Sequence, residues 1–311
     1  MNKRPLGNTG MMVSEIGFGA FQIGDENVRG QMTEKEAIYL VHTSIDMGCN
    51  FFDTAPLYGS GRSEELLGKA LSGRRTNVMI NTKCGHYAQG EKNFDTETIK
   101  LNIEKSLRRL QTDYVDSLIL HNPPPELLAG DSPHYDLFER LKQEGKIRAY
   151  GASLDWSEEL ITLMNETGSQ VIEVLFNIFH QEPKAAFSMA GENGVGLIVK
   201  VPFDSGWLSG KYNRESTFTD IRSRWTPAIK ARREVLFDNI RFIADSETTY
   251  IQAALRFILS FKEISTVIPG FKSVEQLQEC FAAAKKRMPG ETVQKLQDFW
   301  FEELKDNPLP W

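Results

Sequence analysis

Short apolar runs of strand length alternate, in unbroken order, with longer segments that carry apolar residues at helical spacing. No other feature limits the fold so sharply, because strands that follow one another only across helices must pair in parallel. The runs cover residues 15–19, 50–53, 78–83, 117–121, 148–153, 171–177, 196–202 and 266–269. The helical patterns between and after them cover 33–47, 63–71, 95–110, 135–144, 157–166, 184–193, 248–261 and 273–285. Ser63, Asp95, Ser157 and Ser273 stand where helices begin and are expected to cap them, and Gly48, Gly73, Gly145 and Gly168 stand where helices end. Eight such units in 311 residues predict a closed (β/α)8 TIM barrel occupying 1–311 as a single domain. An open doubly wound sheet would call for a GxGxxG turn after an early strand, and Gly17-Phe18-Gly19-Ala20-Phe21-Gln22 lacks the third glycine. Outside the repeat lie an N-terminal hairpin over 4–13, turning at Asn8-Thr9-Gly10, and a long loop plus extra helix (203–247, helical over 228–244) after the seventh strand. A C-terminal helix is expected over 291–305.

Composition narrows the class of function. Hydrophobic residues make up 41% and charged residues 25%, and the net charge is −6, which gives no support for nucleic-acid or anionic-membrane binding. No apolar run reaches the ~18 residues of a membrane span. Met1-Asn2-Lys3-Arg4-Pro5 has no apolar core behind its basic residues, so no signal peptide is expected. Cys49, Cys84 and Cys280 form no CxxC, and with no HExxH a metal is not expected; free thiols suit a cytoplasmic protein.

The ends of the strand-like runs carry the chemistry. Asp53 ends the second, Lys83 the third and His121 the fourth, and Tyr58 lies in the loop after Asp53. In a barrel all four converge on one face. Together they make a proton donor: an ammonium favours phenolate, lowering the pKa of Tyr58, while Asp53 holds Lys83 charged and His121 hydrogen-bonds the reacting oxygen. No good nucleophile accompanies them, since Cys84 points to the opposite strand face. No second carboxylate is evident at a strand end, as glycosidase chemistry would need.

These residues resemble the aldo-keto reductase family. The matching positions are Asp53-Thr54-Ala55 with Tyr58-Gly59, then Lys83, then His121-Asn122-Pro123. Further matches are Gly145-Lys146-Ile147-Arg148 with Tyr150-Gly151-Ala152-Ser153, Gly210-Lys211-Tyr212, and Val267-Ile268-Pro269-Gly270 with Gln276-Leu277, so the likeness spans about residues 4–285. The resemblance implies NADPH extended across the C-terminal face of the barrel, Tyr58 as general acid in carbonyl reduction, Lys83 and Asp53 tuning it and His121 orienting the carbonyl. It implies cofactor contacts from Gly19, Ala20, Phe21 and Asp53, from Ser153, Glu173 and Lys200, from Pro202, Phe203, Gly206 and Leu208, and from Gly270, Phe271, Lys272, Gln276 and Glu279. Four positions depart from the family pattern: Leu154 and Cys280 replace Asn, Glu173 replaces Gln, and Lys200 replaces an aromatic residue that stacks on the nicotinamide. Lys272 and Ser273 at a helix N-terminus favour the 2′-phosphate of NADPH, making NADH the weaker candidate. The expected partner is a small-molecule carbonyl or sugar substrate, with a mouth formed by Phe21, Gln22, Tyr87, residues 123–128 and the 203–226 loop with Trp207 and Trp225. Two other roles fit the same residues: a slow nucleotide-binding regulatory module, like the family's potassium-channel β subunits, and an NAD(P)-dependent sugar dehydrogenase working oxidatively.

Overall fold

Eight strands pair in parallel, each with the next in sequence, in the computed structural model, which describes residues 1–24 and 32–310. They are β3 (Phe18–Gly19), β4 (Phe51–Asp53), β5 (Met79–Cys84), β6 (Val115–His121), β7 (Ile147–Leu154), β8 (Val171–Leu175), β9 (Gly196–Lys200) and β10 (Ile264–Val267). Parallel bridges from Ile16 to Val267 and from Gly19 to Gly270 bring the two ends of this sheet together. The first strand is far shorter than its five-residue apolar run: only Phe18 and Gly19 pair with β4, and Ile16 before them meets the last unit through a single bridge to Val267. The expected (β/α)8 architecture and the N-terminal hairpin are both present, the hairpin as β1 (Lys3–Pro5) paired antiparallel with β2 (Met12–Ser14).

The helices after the strands are Glu34–Asp46, Arg62–Leu71, Thr96–Leu110, Pro133–Gln143, Ser157–Glu166, Phe187–Asn193, Tyr250–Leu259 and Val274–Ala283. The sixth is shorter than its sequence pattern because Pro183 opens a 3-10 turn, Glu182–Ala186, in front of it. The insertion contains the helix Pro227–Asn239, and the chain's last helix is Gly290–Glu303.

Ser273 caps its helix through the amide of Gln276. The other capping expectations need correction. Asp95 occupies the cap position but its side chain accepts no cap bond, and Ser157 is already the first helical residue. Ser63 lies inside its helix, where its buried hydroxyl donates to the Ala20 carbonyl and pairs with Thr54. Gly48, Gly73 and Gly145 take positive φ at helix ends; Gly168 does not.

Residues two apart on a strand face the same way, and this parity sorts the core. Outward-facing strand residues such as Phe52, Ile80, Leu118 and Val174 join the helices in one large apolar layer. Inward-facing Phe51, Ile119, Ala149, Val171 and Ile198 fill the barrel, and Leu6, Met11 and Val13 of the hairpin region pack with them. Arg4 fastens this hairpin to the last unit: its guanidinium donates to the carbonyls of Leu259 (2.7 Å), Phe261 (2.9 Å) and Ile264 (2.8 Å) and pairs with the buried Glu15.

Candidate active site

Two residues beyond the apolar inner layer, the same parity turns polar. Phe51 gives way to Asp53, Ile119 to His121, Val171 to Glu173 and Ile198 to Lys200, while β5 contributes Asn81 and Lys83 and β7 contributes Ser153. The barrel therefore floors its own site: the apolar layer below excludes water, and the strand ends above hold charges against it.

Lys83 is the hub, 1% exposed. Its ammonium pairs with Asp53 Oδ1, lies 3.0 Å from Glu173 Oε2 and donates to the Thr54 carbonyl at 3.2 Å. Asn81 Nδ2 donates to Asp53 at 2.7 Å and reaches Glu173 at 3.5 Å, and its own oxygen accepts from Ser117 Oγ at 2.6 Å. A second carboxylate thus does sit at the site, contrary to the expectation from the strand ends: Glu173, 2% exposed, shares both donors with Asp53, which is 3% exposed.

Tyr58 is half-buried, with its ring centre 5.2 Å from Lys83 Nζ, 6.0 Å from the His121 ring and 5.2 Å from Phe21. A left-handed turn sets its position. Gly59 has φ 58°, and a Cβ there would lie 1.8 Å from the Gly24 carbonyl oxygen, so only glycine allows this approach. The end of β4 is held to its neighbours by Ala20 N–H to the Asp53 carbonyl and Thr54 N–H to the Asn81 carbonyl.

The electrostatics differ from the sequence expectation in one respect. Lys83 does pull the Tyr58 phenol down, but burial is the larger influence and the nearby Asp53 and Glu173 add to it, so the phenol stands above its usual range. Burial, then Glu173, push the Asp53 carboxyl up against the pull of Lys83 and Asn81. Burial opposes the charge on Lys83, yet Asp53 and Glu173 outweigh it and hold the ammonium charged. His121 is held well below its ordinary value by burial, then by Lys83, His86, Lys200 and Lys92; its Nδ1 is buried without a partner, and its ring stacks on His86 at 4.9 Å.

The nicotinamide-side residues of the sequence analysis form a chain of contacts. Ser153 Oγ donates to Glu173 at 3.2 Å and accepts from Lys200 Nζ at 2.8 Å, while Lys200 also reaches Asn122 (3.0 Å) and Asp155 (2.8 Å). Leu154 is buried. At the other end, Gly270 bridges Gly19, and a Cβ on Gly270 would meet the Gln22 amide. The helix Val274–Ala283 opens there behind exposed Lys272 and half-buried Ser273, with Gln276 accepting from the Lys272 amide. Lys272 is close enough to Asp220 to help Arg222 lower that carboxyl. Glu279 is half-buried on the same helix, and Pro202, Phe203 and Gly206 lie in the loop after β9, Gly206 with φ 95°.

Of the residues the resemblance assigns to the cofactor, Leu208, Phe271 and Ala20 have wholly buried side chains, Phe271 packed against Phe18 and Phe281. Trp207 and Trp225 do not line the mouth: they pack edge to face at 5.9 Å beside Arg233, whose buried guanidinium pairs with Asp204. Cys280 is a buried core thiol. Among the described residues, no three His, Cys, Asp or Glu side chains are placed to hold a metal, and no helix is long and apolar enough to cross a membrane.

Comparison with known proteins matches residues 15–300 to the Aldo/keto reductase family. The chain is 33% identical over 291 residues to an L-galactose dehydrogenase of Arabidopsis thaliana, covering 90% of this chain and 87% of that one. It is 29% identical to a probable voltage-gated potassium channel β subunit of the same plant, covering 90% of each. An aldo-keto reductase from Bacillus halodurans, solved in its holo form, superposes with a TM-score of 0.81 at 29% identity over 96% of both chains.

Proposed function

Since the chain belongs to the aldo/keto reductase family, an oxidoreductase family that uses NAD(P)H, we propose that it reduces an aldehyde or ketone to an alcohol with NADPH, Tyr58 donating the proton. The observation that carries this reading is the junction of Tyr58, Lys83, Asp53 and His121 on one rim of the barrel, over a water-excluding apolar layer.

The surrounding residues fit a nicotinamide dinucleotide. One end offers the capped helix N-terminus beside Lys272, suited to a phosphate, and the other offers Ser153, Glu173 and Lys200 as polar partners for an amide. When bound, the cofactor supplies the hydride; the chain supplies position and proton. Tyr58, kept protonated by burial, gives its proton to the oxygen on which negative charge develops. Lys83 stabilises the phenolate left behind, and Asp53 keeps Lys83 in place. His121 stays neutral; with Nδ1 buried and unpartnered, its ring proton is cheaper to hold on Nε2, where it can hydrogen-bond the carbonyl.

Lys272 supports NADPH over NADH through the 2′-phosphate. A second reading, oxidation of a sugar, draws on the buried negative charge of Glu173, which favours an oxidised, cationic ring, and on the likeness to an L-galactose dehydrogenase. Fluorescence titration with NADPH tests binding, and loss of NADPH absorbance with an activated aromatic aldehyde tests turnover. Tight binding with no turnover of aldehydes, ketones or sugars would rule out an enzyme and leave the regulatory role.

A further inference from the structure

Lys83 brings one positive charge to two buried carboxylates. Asp53 pairs with it directly and Glu173 lies 3.0 Å away, and both share the single amide nitrogen of Asn81. The other groups facing this cluster do not balance it. Tyr58 and His121 are neutral at neutral pH, and His86, stacked beyond His121, is held below its ordinary value by burial and then Lys92. Lys200 reaches the cluster through Ser153, but its charge is matched by Asp155 at 2.8 Å. With both carboxylates ionised, one buried negative charge is left over. A protein relieves such a charge by taking up a proton, and the upward push on Asp53 from burial and from Glu173 is in that direction.

We propose that Glu173 turns the Asp53–Glu173 pair into a proton store that tells the two redox forms of the nicotinamide apart. The pair keeps one proton against the neutral, reduced ring and releases it to solvent when the positively charged, oxidised ring binds. The inference rests on the cofactor reading above, with the nicotinamide along the Ser153–Glu173–Lys200 wall. The step balances simply: protonated protein plus oxidised cofactor gives the complex plus one proton, and no electrons move. Lys83 stays charged throughout. An amide at position 173 leaves one carboxylate matched by one ammonium, with no proton to give up. Affinity for the oxidised cofactor therefore rises with pH, by at most about tenfold per pH unit for one proton, while affinity for the reduced form stays flat.

Calorimetric titration of the purified protein with NADP+, and separately with NADPH, in two buffers of different ionisation heat counts the protons released. At about pH 7 the expected result is a substantial fraction of one proton released with NADP+ and essentially none with NADPH. Glu173→Gln should bind both forms and lose the difference, and Glu173→Asp should keep it. Equal proton counts for the two forms in the wild type overturn the proposal, as does undiminished release in Glu173→Gln. If that variant does not fold, the wild-type comparison and Glu173→Asp still decide. Absence of binding heat with either nucleotide would instead overturn the cofactor reading, and this inference with it.

Discussion

Replacing Lys83 with Met removes the ammonium while nearly keeping the side chain's volume. Lys83 is wholly enclosed, so water cannot take its place, and Asp53 and Glu173 are left facing each other with only Asn81 Nδ2 between them. Removing one partner of a buried ion pair costs about 3–5 kcal/mol. The folded chain can escape by protonating the carboxylates, which fixes the sign of the pH dependence. Burial and Glu173 already push the Asp53 carboxyl up, and without the opposing pull of Lys83 it rises further above its unfolded value, so the unfolded chain binds fewer protons between the two. Stability is then intact in acid and lost as pH rises. One proton accounts for at most about 1.4 kcal/mol per pH unit, so about three units, from pH ~5 to ~8, span the whole expected loss. Guanidinium unfolding of wild type and variant at both pH values measures it. A difference near zero in acid growing to about 3–5 kcal/mol at pH ~8 is expected, with at least ~1 kcal/mol recovered by adding Glu173→Gln. A loss that is the same at both pH values, or below ~1 kcal/mol at the higher, would refute the description of this cluster as two carboxylates held by one ammonium.

Tyr58→Phe should lower kcat/KM for an aldehyde by about 10²–10⁴ while leaving the NADPH dissociation constant within about twofold, by steady-state kinetics and fluorescence titration; unchanged turnover would remove Tyr58 from the chemistry. Lys272→Ala should weaken NADPH by about tenfold or more and NADH by less than about twofold, and equal weakening would speak against a 2′-phosphate contact. Gly59→Ala should destabilise the chain by about 1–3 kcal/mol or more, because a β-carbon would collide with the Gly24 carbonyl at a positive φ; an unchanged melting curve would contradict that geometry.

The alternation of strand and helix was readable because each unit repeats the same physical demand: an apolar strand covered by an amphipathic helix. Asp53, Lys83 and His121 stood out because each ends such a run. Glu173 stood out only through the family likeness, as a Glu in place of Gln, and its place beside Lys83 was not legible, because it interrupts the apolar strand Val171–Leu175 rather than ending it. Parity is the signal that was available: Asn81 is two before Lys83, and Glu173 two after the inward Val171, so each must face the barrel axis. Trp207 and Trp225 were misplaced for a different reason. Aromatic residues in a long loop after a strand end look like a mouth, and nothing local reveals that Asp204 and Arg233, far apart in sequence, bury an ion pair that gathers both rings. The rise in the Tyr58 pKa also depends on burial, which no local stretch encodes.

The clasp made by Arg4 has a consequence for the order in which the chain folds. Its guanidinium grips carbonyls some 257 residues further along, and the inner layer that seats the hairpin includes Ile268. Closing so long a loop carries an entropic penalty that only late contacts repay. A chain emerging from the ribosome can pair its early strands one by one and form the hairpin, yet the Arg4 guanidinium lacks its three carbonyl partners until the last unit is made. The clasp is therefore among the last contacts to form, and Arg4→Ala should be felt around residues 259–264, where the ring is joined.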